Sequence, residues 1–190
     1  LAGDYPQAER AFREAMAEAA SIHPDGHIDR TRASLGLADV LTAAGREAEG
    51  QSIYEAALRE LKRLPGDTSR DQVAALSGLG SALYFQSRLP QAQAAFEQTL
   101  ALGVRVLGRD HPKVAETVNN LGSLAYQQGE YPRARRLWDE ALPLYRAIYG
   151  ASHPEVASVL NNLGRAAWIE RRFADAERLL QEALVIDRRV

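Results

Sequence analysis

The 190-residue chain has no cysteine, which excludes disulfides and thiolate metal sites and permits a reducing compartment. Lysine is nearly absent: of 23 basic residues, 21 are arginine. With the abundant alanine, that bias reads as a GC-rich, bacterial gene. Neither sign of charge is in large excess. The formal net charge is −2, so no overall field draws the chain to nucleic acid or to an acidic membrane. No apolar run reaches the ~18 residues a membrane span needs. The opening residues, LAGDYPQAER, do not resemble a signal peptide, and the expected location is cytoplasmic. They also lack an initiator methionine, which reads as a segment cut from something longer. Phosphate-binding motifs are absent as well: GLGSALYFQ at 78–86 carries two glycines, but inside a helical pattern and not after a strand. No serine or cysteine nucleophile stands in a recognisable motif. No catalytic residue, cofactor or metal is therefore expected. What is present is an ordinary globular composition, 46% hydrophobic and 25% charged.

It is also a repeat, with a period of about 42 residues. Stepping by that interval gives Ala38, Gly80, Gly122, Gly164 and, one residue earlier, Leu37, Leu79, Leu121, Leu163. Further columns are Ala8, Gly50, Ala92, Ala134, Ala176 and Phe12, Tyr54, Phe96, Trp138, Leu180. Small residues between bulky apolar columns at helical spacing let two helices approach closely. Each unit reads as two helices. Helix A is expected at 27–44, 69–86, 111–128 and 153–170; helix B at 47–63, 89–106, 131–148 and 173–189, with an unpaired B helix at 5–20. The A–B turn falls at Gly3, Gly45, Ser87, Gly129 and Arg171, a column rich in the residue that accepts a positive φ. The residues before the A helices, Gly26, Thr68, Asp110 and Ser152, are preferred N-cap types, and Ser152 with Glu155 spells a capping box. The array spans 1–190, as a half repeat (1–24) and repeats at 25–66, 67–108, 109–150 and 151–190.

Small–large–small helix pairs resemble the tetratricopeptide pattern, whose usual period is about 34. With the longer period found here, and HPKVAETVNNLGSLAYQQGEYPRARRLWDEALPLYRAIYG as its clearest unit, the chain is similar to the long-helix branch typified by kinesin light chains. That resemblance implies an all-α, right-handed superhelical solenoid of antiparallel helix pairs, about nine helices in all. It also implies A helices lining a concave channel, in which family members bind short linear segments and helix-A asparagines hold the ligand backbone.

Channel-facing positions on an A helix recur at spacings of three and four. In the third unit they are Glu116, Asn119, Asn120, Ser123, Tyr126 and Gln127; in the fourth Ser158, Asn161, Asn162, Arg165, Trp168 and Ile169; in the second Ala74, Ser77, Gly78, Ser81, Tyr84 and Phe85. The motif NNLG, at 119–122 and again at 161–164, thus yields an amide ladder, Asn120 and Asn162. Beside it runs an aromatic ladder, Tyr84, Tyr126 and Trp168. An amide carries donors and an acceptor at once, so it can pair with an extended peptide backbone whatever its side chains. Two readings stand for Asn119 and Asn161: contact with the ligand, or hydrogen bonds that fix inter-repeat geometry. The rings either meet ligand or fill the channel wall.

Other candidate chemistry reduces to surface. His27, His111 and His153 share a column with Ser69, which reads as a capping or surface slot, and successive helices about 10 Å apart cannot share a metal. Asp4 with Glu9 and Glu14 with Glu18 read as solvated faces, as do the arginine runs at 133–136, 171–172 and 188–189 among carboxylates. The last B helix keeps Leu179, Leu180, Leu184 and Ile186, which a further A helix would cover. The expected function is a non-enzymatic module that binds a protein or peptide partner, with no nucleic acid and no membrane. The alternatives are self-assembly into a homo-oligomer through the array ends, or a sensor domain of a larger regulatory protein.

Overall fold

A computed structural model describes residues 4–23 and 27–188. Gly3, Gly26, Pro24 and Arg189 lie outside the described residues. Among the described residues all regular structure is helical: α1 (Tyr5–Ile22), α2 (Ile28–Ala43), α3 (Glu47–Leu61), α4 (Ser69–Phe85), α5 (Leu89–Leu107), α6 (Pro112–Gln127), α7 (Tyr131–Tyr149), α8 (Pro154–Ile169) and α9 (Phe173–Asp187). Each expected helix is present, with boundaries close to those read from the columns. The chain is an all-α array of tetratricopeptide-like helix pairs. It forms two compact units, Leu1–Leu102 and Gly103–Val190. In the first, α2 packs on α1, α3 on α2 and α4 on α3; in the second, α7 packs on α6, α8 on α7 and α9 on α8.

The turn from each A helix to its B helix is the same at four places. Gly45, Ser87, Gly129 and Arg171 have φ of 77°, 60°, 79° and 60°. The next N–H then reaches back five positions: Arg46 to the Leu41 carbonyl, Arg88 to Leu83, Glu130 to Ala125 and Arg172 to Ala167, at 2.8–3.0 Å. That bond closes the helix end and turns the chain. Ser87 and Arg171 accept a left-handed backbone despite a Cβ, at a cost of about 1 kcal/mol each.

The N-caps differ from expectation. The capping residues of α2, α6 and α8 are His27, His111 and His153, not the residues before them. Their Nδ1 atoms accept from the N–H of Asp29, Lys113 and Glu155 at 3.3, 3.1 and 3.2 Å. Imidazole Nδ1 is bonded to Cγ, as the oxygens of aspartate are, and reaches the same N–H groups. The Ser152–Glu155 capping box is thereby replaced, since the Glu155 N–H is already held by His153. Thr68 does precede α4, but its hydroxyl donates inward to the Leu61 carbonyl at 2.9 Å, and Asp67 takes the Ser69 N–H at 2.9 Å instead.

The small columns do what their spacing suggests. A Cβ added at Gly122 would lie 2.5 Å from Nε1 of Trp138, so α6 and α7 can approach only because glycine stands there. Leu35, Tyr54, Leu61 and Ala75 centre the first unit's core. Val118, Leu124, Trp138 and Leu160 are buried in the second. At the end of the chain Ile186 is buried, whereas Val185 is 49% exposed. The expectation that Ile186 stands uncovered is thus corrected by one helical step, about 100° around α9.

Candidate functional site

In the second unit the solvent face of the A helices carries Lys113, Glu116, Asn120, Ser123 and Gln127 on α6. On α8 it carries Glu155, Ser158, Asn162, Arg165 and Ile169; none of the ten is buried. Two apolar faces meet neighbouring helices, so this polar stripe is what remains of each A helix. Lys113 and Glu116 neutralise each other at 2.7 Å. Ser123 returns its hydroxyl to the Asn119 carbonyl at 3.2 Å.

Asn120 and Asn162 are half-buried. Neither amide has a hydrogen-bond partner among the described residues. Asn119 is different: its carbonyl accepts from Trp138 Nε1 at 3.2 Å, and its amide oxygen is sheltered without a partner. Asn161 is half-buried on the same flank of α8.

Tyr126 is half-buried against Tyr131 and Trp138, at centroid separations of 5.3 and 5.8 Å. The guanidinium of Arg165 stacks over it at 4.9 Å, which joins α8 to α6. Trp168 occupies the equivalent place on α8 and is 62% exposed, with Phe173 edge-on at 5.0 Å. Glu116, Ser123, Gln127 and Arg165 therefore share one stripe with Asn120 and Asn162, with Tyr126 at its margin.

The first unit carries its own A-helix stripe. Ser81 and Tyr84 are half-buried and Phe85 is 63% exposed, its ring edge-on to Tyr84 at 5.7 Å. Ser81 donates to the Ser77 carbonyl at 3.2 Å. Ser77 itself is 3% exposed, which corrects its placement among the channel residues: it lies on the packed flank of α4. Gly78 faces the Tyr54 ring, which a Cβ would meet at 2.3 Å. Burial, together with a hydrogen bond to Asp39, holds the Tyr54 hydroxyl well above the usual phenol range. Arg32 and Asp71, which helical spacing alone does not pick out, bridge α2 to α4 at 2.8 Å on this face. They share repeat columns with Glu116 and Lys113, two units and one unit earlier, and the columns would have found them. Phe173 lies one repeat after Tyr131 and is found the same way.

Among the described residues, no group of three or more histidine, aspartate or glutamate side chains is placed to hold a metal ion. Among the same residues, no helix is long and apolar enough to cross a membrane.

Paired helices closed by a repeated left-handed turn, with a polar stripe left on each A helix, define a helical-repeat scaffold. The chain belongs to the tetratricopeptide repeat family, whose model matches residues 29–103, 71–137 and 113–189. Solved structures of similar fold include BtubC (BKLC) from P. vanneervenii, 23% identical with a TM-score of 0.83 over 98% of this chain and 75% of that one. A putative kinesin light chain from Podosopora anserina is 20% identical, with a TM-score of 0.72 over 97% of this chain and 88% of the other. Bacillus thuringiensis PlcR, solved with the peptide PapR7 and DNA, is 14% identical, with a TM-score of 0.70 over 83% of this chain and 54% of its own. At these identities the likeness is one of fold. No curated protein matches the sequence.

Proposed function

We propose that the chain is a non-catalytic protein-interaction module that binds a peptide segment of a partner along the A-helix stripe of α6 and α8. One observation carries the reading. Asn120 and Asn162 stand at the same place on successive A helices, half-exposed, with amide groups that no protein atom satisfies among the described residues. Each offers two donors and an acceptor to an extended backbone. The neighbouring charges Lys113 and Glu116 are spent on each other, which leaves the two amides free to pair with a backbone. The peptide seen with PlcR in its solved complex supports the class of ligand, although that protein is similar in fold alone.

Peptides selected from a random library against the chain provide the test. The Asn120→Ala/Asn162→Ala double variant is expected to keep the wild-type thermal melt. It should bind the selected peptides about 2–3 kcal/mol more weakly, roughly 30- to 150-fold, from two to four lost hydrogen bonds. Unchanged affinity in a folded double variant refutes the reading.

A further inference from the structure

Spacing decides which backbone the Asn120–Asn162 stripe can hold. The two asparagines occupy one position in successive repeats, on α6 and α8. These helices lie against each other, with the Arg165 guanidinium 4.9 Å from the Tyr126 ring centroid. Helices in contact run about 8–10 Å apart between axes, so the two amides recur at roughly that interval. One and two repeats earlier the same column holds Gly78 and Gly36. The amide pair is therefore confined to these two rungs.

An extended ligand that uses both rungs must present the same face twice within about 10 Å. A β-strand repeats its face every two residues, about 6.6 Å, or every four, about 13 Å. Neither fits. Three residues of strand span about 10 Å but turn the opposite face to the second amide. A polyproline II helix has three residues per turn and advances about 9.3 Å in each, so residues i and i+3 meet the two amides alike. Its carbonyls make no internal hydrogen bonds and stay open to outside donors.

The stripe is rich in such donors. Each asparagine amide supplies two. Arg165, one turn beyond Asn162, is exposed, and its guanidinium is held by the Tyr126 face and by no carboxylate among the described residues. Arginine donates and never accepts. A proline residue offers a carbonyl and has no N–H to satisfy. A proline run thus takes from the stripe what the stripe has to give.

We propose that the ligand of this stripe is a proline-rich segment in the polyproline II conformation, with the carbonyls of residues i and i+3 accepting from the amides of Asn120 and Asn162. The inference rests on peptide binding at this stripe and adds the ligand's class, conformation and three-residue register. A ligand already held in its bound conformation also loses less entropy on binding.

The probes are two blocked nine-residue peptides, one of proline alone and one of alternating glycine and serine. Each is titrated into the full chain, labelled with 15N. The side-chain amide signals of Asn120 and Asn162 are identified by their loss in the Asn120→Ala and Asn162→Ala variants. Oligoproline should shift both signals along one saturation curve and bind at least tenfold more tightly than glycine–serine. The double variant, folded by its thermal melt, should bind oligoproline at least tenfold more weakly. Absence of a saturable shift in the wild-type chain, movement of only one of the two signals, or equal affinity for the two probes overturns the proposal. Where library-selected peptides bind through Asn120 and Asn162 and oligoproline does not, the polyproline II register falls and peptide binding stands. Where neither binds, both fall.

Discussion

The α6–α7 and α8–α9 pairs carry one pattern in successive repeats and differ in what lies over them. Gly122 faces Trp138, a ring 2% exposed; Gly164 faces Leu180, which is 36% exposed. Tyr145 is buried, and its counterpart Asp187 is in solvent. The turn between the helices is made by Gly129 in one pair and Arg171 in the other, with φ of 79° and 60°. The hairpin is therefore a local property, written into columns that both pairs share. Burial of the B-helix ring is a property of the next helix along.

The sharpest test of that difference is to place a methyl group at both glycines. Gly122→Ala drives a Cβ to 2.5 Å from a ring that cannot move away. The clash should outweigh the helix-propensity gain of about 1 kcal/mol and leave the variant about 2 kcal/mol less stable in urea denaturation. In Gly164→Ala the neighbour is a flexible, partly exposed leucine, so clash and propensity should cancel to within about 0.5 kcal/mol. Equal losses at both sites would mean that α8 does not fix Trp138.

A smaller effect probes the shared turn. Gly129→Ala should cost about 1–2 kcal/mol, and Arg171→Gly should gain about 0.5–1 kcal/mol, because a Cβ is penalised in the left-handed region of either pair. Calorimetric melts of the two single variants check the opposed signs.

The smallest effect appears only in alkali. Burial, reinforced by the carboxylates of Glu116 and Glu155, holds the Tyr145 hydroxyl well above the usual phenol range. The folded state thus keeps this phenol neutral while the unfolded chain ionises near pH 10. Its contribution is complete below about pH 10 and is lost as pH rises, by up to about 1 kcal/mol per pH unit. Tyr145→Phe should flatten the stability profile between pH 10 and 12 and leave it unchanged at pH 7. An unaltered slope would show that Tyr145 is open to solvent.

Helices, their ends and the hairpin turn were legible because each is set locally and confirmed by its column. Ser87 and Arg171 are left-handed, and only their alignment with Gly45 and Gly129 could say so. The caps are not legible in the sequence because histidine is not a usual N-cap, although its Nδ1 has the reach of an aspartate oxygen. Adjacent letters diverge by about 100° on a helix. That step separates the free amide of Asn120 from the sheltered one of Asn119, and Val185 from Ile186. Periodicity supplies the spacing of a stripe; which flank a neighbour covers depends on packing. Ser77, in step with the stripe by spacing, is for that reason buried on the packed flank of α4.

Arg165 of α8 reaches back to Tyr126 of α6, and Trp168 of the same helix reaches forward to Phe173 of α9. Anything that immobilises α8 from one side spares part of the ordering entropy for whatever binds on the other. A ligand held at Arg165 would then also steady Trp168 and Phe173, and slowed amide hydrogen exchange along α8 would be its signature.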